Sequence, residues 1–306
     1  MEARRLTQET ITSRLDELPT LPTIVYELSR TINDPMSSTN DVEKIMANDL
    51  SLTTKVLKLV NSAYYAIPGG VSSLSRAIAY IGFDTVNQLV LSASILKALE
   101  VKGPQRFDVN EFWKHSIGVG IVSETIAKFV KHPTPTDLFT AGLVHDMGKI
   151  ALFSVEPDAM LSIIAKATEA SCSYLDAESA LGIPSHTVIG QALAKKWSLP
   201  LTIQSIIRYH HVKEHNQRGG LNAVSNRNVD IVFLANLLTH ALKFGNSGHT
   251  AILGAPRETL ERLALNPETD LKPLLQEIKT SLSKTSDFLR VLGGGSGGAS
   301  GSGGAA

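Results

Sequence analysis

Apolar residues three and four apart recur along almost the whole chain, with few alternating runs to compete, and this periodicity restricts the fold to packed helices. In "STNDVEKIMANDLSLTTKVLKLVNSAYY" they fall at Val42, Ile45 and Met46, then at Leu52, Val56, Leu59 and Val60. Asn40 or Asp41 as one cap and Ser51 as the next predict a helix pair rather than one rod. "LSRAIAYIGFDTVNQLVLSASILKALE" repeats the pattern, with Gly82 as a break and Asp84 as a cap. "DVNEFWKHSIGVGIVSETIAKFVKH" and "DLFTAGLVHDMGKIALF" continue it on either side of "PTPT". "SHTVIGQALAKKWSLP" stops at Pro200, and "LTIQSIIRYHH" stops at a polar loop over 213–228. The expected fold class is all-α, a multi-helix bundle.

Of the 306 residues 43 % are hydrophobic, enough for one large core or two smaller ones. A composition shift at "EVKGPQRFDVN" predicts an N-terminal helical subdomain over 1–105 and a C-terminal one over 106–292. The last 14 residues, "GGGSGGASGSGGAA", offer no core side chain and predict a flexible Gly/Ser tail over 293–306. Twenty-nine basic residues balance 29 acidic ones, and no Lys/Arg block exceeds two residues, which disfavours nucleic acid or an anionic membrane surface as partner. The lone Cys172, expected on a helix, excludes an internal disulfide and a cysteine-rich zinc site and suits a reducing compartment. The charged N-terminus lacks an apolar signal core, and no segment reads as the ~20 apolar residues of a membrane span. A cytoplasmic protein without a membrane segment is the expectation.

All nine histidines lie beyond residue 106, in the expected C-terminal subdomain, so any chemistry belongs there. His115, the pair His145–Asp146, His186 and the pair His210–His211 each sit on or at the end of a different predicted helix, among residues that must face a core. Glu111 lies one turn before His115 and shares its face. Burying unpaired imidazoles and carboxylates on several helices is costly, which predicts that they converge on one polar site able to hold metal. Imidazole-rich donor sets favour borderline metals, so the expected cofactor is one or two divalent ions of iron, manganese or zinc. His132, His215, His240 and His249 are expected at the surface or in structural roles, and Trp113 and Trp197 as core anchors.

Three stretches carry a family resemblance: "LPTLP" at 18–22, "NDLSLTTKVLKLVNSAYY" at 48–65 and "SLSRAIAYIGFDTV" at 73–86. With "AGLVHDMGKIAL" and "GIPSHTVIGQALAKKWSLP" they closely resemble the HDOD domain, the HD-related output domain of bacterial signalling proteins, over roughly residues 18–211. The resemblance implies an HD-domain-like helical bundle distantly related to HD and HD-GYP phosphohydrolases. It implies His115 as the first metal ligand, His145 and Asp146 as the name-giving pair, His186 as the following histidine, His210–His211 as the tandem pair and Glu111 as an additional acidic ligand. In such enzymes the aspartate bridges two metals and activates water, and a lysine in the place of Lys149 contacts phosphate, so Asp146 and Lys149 are the catalytic candidates if the chain is an enzyme. The chain departs from the pattern at Asn236, where the family closes with an aspartate, and at "HHVKEHNQRGG", which lacks the GYP signature.

Two functions from different classes follow. The first is a signalling output module that acts through protein contacts with signalling partners and retains a residual metal site. The second is a metal-dependent phosphohydrolase or phosphodiesterase acting on a nucleotide or cyclic dinucleotide. A nucleic-acid-associated regulator is disfavoured by the balanced charge.

Overall fold

Polar side chains one turn ahead of the apolar runs set where the helices begin. The computed structural model describes residues 6–32, 34, 36–101 and 106–292, and the tail expected over 293–306 lies outside the described residues. The elements run α1 (Gln8–Arg14), a 3-10 turn (Leu15–Glu17), α2 (Thr23–Ile32), α3 (Thr39–Met46), α4 (Leu50–Val60) and α5 (Leu74–Ala98). There follow α6 (Val109–Phe129), α7 (Pro135–Val144), α8 (Met147–Val155), α9 (Pro157–Ala170), α10 (Tyr174–Leu181), α11 (His186–Lys196) and α12 (Leu201–Tyr209). The chain continues with a 3-10 turn (His215–Gln217), α13 (Ala223–Ala241), α14 (Arg257–Arg262), α15 (Leu271–Ser283) and α16 (Ser286–Leu292). No strand occurs among the described residues, and the fold is all-α.

Several local details differ from the sequence reading. Ser38 caps α3, in a box with Asp41, and Asp49 caps α4 by accepting from the Leu52 N–H at 2.9 Å; each helix therefore starts before the residue expected to cap it. Gly82, at φ 81°, kinks α5 rather than ending it. The polar stretch 213–228 is not all loop: Asn222 accepts from the Ser225 N–H at 2.8 Å and starts α13 there. Its polar face is absorbed by Arg218, fully buried, which donates to Asp230 at 2.7 Å while Arg262 and His215 approach the same carboxylate at 2.9 and 2.8 Å. Cys172 lies in the turn between α9 and α10, not on a helix. One segment, Pro135–Val155, is long and apolar enough by composition to cross a membrane, contrary to the sequence reading; 94 % of its most apolar window is buried inside the protein.

A continuous apolar core takes in residues from Ile11 to Leu292, including Trp113 and Trp197. Within it α6 packs against α7, α13 and α15, α8 against α9 and α11, and α12 against α7, α11 and α13. Helices α2, α3 and α4 gather on α5, which rests on α7 through Gln88 to Asp137 at 2.8 Å and Ser92 to Thr140 at 3.1 Å, while α1 lies against α8 and α11. Tyr64 donates to Glu124 at 2.7 Å, and α16 folds back across α4 and α6. The result places the ends and midpoints of α6, α7, α8, α11, α12 and α13 around one buried point.

Candidate metal centre

The α7–α8 break supplies the first two donors. His145 closes α7 and Asp146 opens α8, so the helical hydrogen-bond ladder is interrupted where the two polar side chains enter the core. His186 opens α11, His210 closes α12 with His211 directly after it, and His115 projects from the middle of α6. His115, His145, Asp146, His186 and His210 are all at 0 % exposure, and only His211 is partly exposed.

Two donor groups share Asp146. Asp146, His186, His210 and His211 each offer a ligand atom within 4.8 Å of the others, and His115, His145 and Asp146 do the same. Asp146 Oδ1 lies 3.2 Å from His186 Nε2 and 3.4 Å from His210 Nε2, while Oδ2 lies 3.3 Å from His145 Nε2 and 2.7 Å from Lys149 Nζ. The six candidates are thus brought together. Glu111 is not: its carboxylate pairs with Lys114 at 2.9 Å. Asn236 reaches the second group, with Oδ1 3.0 Å from His115 Nε2.

The tautomers explain why this constellation calls for a cation. Carbonyls and carboxylates only accept, so the ring nitrogens facing them carry the protons. His145 Nδ1 donates to Gly142 O at 2.7 Å, His210 Nδ1 to Ile207 O at 3.0 Å, and His186 Nδ1 to Glu178 at 3.0 Å. Their Nε2 lone pairs therefore turn inward, and His186 Nε2 stands 3.1 Å from His211 Nε2 and 3.4 Å from His210 Nε2. His145 Nε2 and Asp146 Oδ1 have no hydrogen-bond partner. Converging lone pairs repel unless a proton or metal ion lies between them, and outer carboxylate or carbonyl partners of this kind orient metal-binding imidazoles.

The charge states fit that reading. Burial, reinforced by neighbouring imidazoles, holds His115 and His211 well below the ordinary histidine range and His210 at about 4. For His186 burial acts downward, but Glu178 and Asp146 outweigh it and raise the value. Burial would raise Asp146, but its interactions with His145, Lys149 and His186 outweigh that and hold the carboxylate well below its usual range.

Lys149 is 1 % exposed, and its three N–H donors face Asp146 Oδ2 at 2.7 Å, Ser247 Oγ at 3.1 Å and Ser247 O at 3.2 Å, with Nζ 4.4 Å from the Tyr174 ring centre. Each donor is thus satisfied within the protein. Glu178 and Ser247 were not legible as site residues, because neither stands in a metal-ligand pattern. His240 and His249, expected at the surface or in structural roles, extend the array: ring centres are 4.3 Å apart for His115–His240 and 4.4 Å for His240–His249. The spacing of His240, one turn beyond Asn236 on α13, was the available signal for it. His132 is buried and His215 is held by Asp230.

Gly148 lets the site close. A Cβ there would collide with the backbone of His186 and Gly190, so α8 and α11 approach closely only without one. Gly148→Ala is expected to cost about 1–3 kcal/mol in urea unfolding, and an unchanged midpoint would show that this contact is slack.

A family profile described as the HDOD domain matches residues 18–213. An uncharacterized protein of Treponema pallidum is 25 % identical over 275 residues, covering 89 % of this chain and 51 % of its own length, so the chain spans about half of this curated relative. The crystal structure of an HDOD domain protein of unknown function from Geobacter sulfurreducens matches with a TM-score of 0.68 at 25 % identity, covering 94 % of this chain and 97 % of that one. A Shewanella amazonensis protein with a provisional phosphohydrolase assignment matches with a TM-score of 0.67 at 21 % identity, covering 92 % and 96 %, a likeness of fold alone.

Proposed function

The chain belongs to the HDOD domain family, and from that premise we propose that it is a bacterial signal-transduction output module that works through protein contacts and keeps a divalent metal centre. The observation that supports this reading over catalysis is closure: five of the six donors are fully buried, and Lys149, with its three N–H groups satisfied within the protein, is not open to a substrate phosphate in this conformation. In the proposal the centre belongs to the second of two subdomains, 106–292, and its ions are iron, manganese or zinc. A cytoplasmic location is part of it, supported by the single thiol.

His186, His210, His211 and Asp146 would hold one ion, and His115, His145 and Asp146 a second. Bound there, such ions would supply Lewis acidity and acidify a water. The carboxylate shared by two donor groups is the specific observation that favours a second reading, a metal-dependent phosphohydrolase acting on a nucleotide or cyclic dinucleotide. Elemental analysis of protein purified without chelator separates the possibilities in combination with a phosphodiester assay. We expect one or two ions per chain and hydrolysis at background. Less than about a tenth of an ion per chain, with no gain on reconstitution, would remove the metal from the proposal. Saturable, metal-dependent hydrolysis abolished by Asp146→Ala would establish the enzyme reading instead.

Asn236 gives an independent check. Aspartate at this position would add a negative charge 3.0 Å from His115 Nε2. Asn236→Asp is expected to tighten metal binding about 10-fold in competition with a chromophoric chelator, the scale of changes around a metal's ligands. Hydrolysis should stay at background. Affinity unchanged or weakened would place Asn236 outside the ion's surroundings.

A further inference from the structure

The segment joining α13 to α14 is pressed onto the metal centre by contacts that a surface connection does not need. Asn246 N–H donates to Glu111 O at 2.9 Å on α6, and Ser247 is fully buried against Lys149. Gly245, at φ 76°, packs so tightly that a Cβ would collide with the His115 backbone. A Cβ on Gly248, at φ 101°, would lie 3.2 Å from the Tyr174 ring, which itself faces His186 at 5.5 Å. Beyond His249 the packing stops: Ile252 and Leu253 are more than half exposed, and no helix resumes before Arg257.

We infer that residues 244–250 form a closing strap over the metal centre, in which Ser247 occupies on Lys149 the place of a phosphate-type oxyanion. The inference rests on the metal reading above and adds regulation to it. An ammonium group donates to neutral carbonyl and hydroxyl oxygens, but its hydrogen bonds to anionic oxygens are roughly twice as strong. Without metal, Asp146 balances Lys149 and the neutral serine suffices. With ions bound, the charge of Asp146 is shared with them, the surroundings of Lys149 turn net positive, and an anion is favoured over Ser247. Metal loading thereby prepares the strap to yield to an oxyanion, while the metal-free centre stays shut.

Hydrogen exchange with inorganic phosphate as the probe tests this. In cobalt- or zinc-loaded protein, phosphate should speed exchange at the Asn246 and Gly248 amides, whose partners are Glu111 O and Asn246 Oδ1. It should not do so in chelator-stripped protein. Ser247→Ala should tighten phosphate binding to the loaded protein about 10-fold, as expected for losing one competing hydrogen bond to a charged group. In stripped protein, Gly245→Val should force the strap off and make His145 and His210 at least about 10-fold more reactive toward diethyl pyrocarbonate, with the far-ultraviolet spectrum retained. Equal exchange with and without phosphate in metal-loaded protein, together with unchanged phosphate affinity in Ser247→Ala, would overturn the inference. A sample that takes up no metal fails the proposed function instead, and the stripped-protein arm still decides the strap: unchanged reactivity in a folded Gly245→Val overturns it.

Discussion

Replacing Asp146 with alanine is expected to lower the stability of the metal-free protein by about 3–5 kcal/mol, the cost of breaking a buried ion pair on one side. Lys149 is 1 % exposed, and after the change its remaining close contacts are Ser247 and the Tyr174 ring, neither of them an anion. His186 loses the carboxylate 3.2 Å away, one of the two that raise its value. The double variant Asp146→Ala/Lys149→Met should recover most of the loss, because it removes the stranded charge and restores apolar volume. Urea unfolding of the three proteins measures both effects. A single variant within about 1 kcal/mol of the parent, or a double variant no more stable than the single, would mean that Lys149 finds another partner or reaches water.

The metal-free protein should also lose stability on mild acidification. An imidazole whose folded value is depressed refuses a proton that the unfolded chain accepts, so stability falls as pH drops from the unfolded value toward the folded one. His210 goes from 6.5 to about 4, which amounts to about 2 kcal/mol lost by pH 5 and about 3 kcal/mol by pH 4. His240, at about 3, and His249, at about 4, act in the same direction, as do His115 and His211. His186 opposes them: its raised value contributes stability at low pH that is lost as pH rises through it. Asp146, depressed, contributes above the usual carboxylate value and loses that only in stronger acid. The balance is loss between pH 6.5 and 4. Unfolding midpoints at pH 7.5, 6 and 5 after chelation measure it, and a flat profile would contradict neutral burial of the array.

The helices and the ligand-bearing residues were legible because both leave local marks. Periodicity places α4 and α6, and adjacent His–Asp and His–His pairs at helix ends stand out in apolar surroundings. Caps were misplaced by two residues because Ser38, Asn40 and Asp41 are all competent, and only backbone geometry selects Ser38. Glu111 shares a helix face with His115, yet its carboxylate turns to Lys114, a choice of rotamer that spacing does not determine. Glu178 and Ser247 reach the site through tertiary contacts over 8 and 98 residues of sequence, beyond any local pattern. His249 lies in a segment without periodicity.

The buried segment Pro135–Val155 has a bearing on how the chain is made. Its covering partners α11, α12 and α13 are all translated after it, and at roughly 5–20 residues per second the last of them follows only some seconds later. During that interval a stretch with the length and hydropathy of a membrane span stands without its later partners. His145 and Asp146 lie at its centre, where an aspartate opposes insertion into lipid by about 2.5–3.5 kcal/mol. The residues at the candidate metal centre thus also mark the nascent segment as unsuited to a bilayer, and they interrupt it at the point where it must later bend.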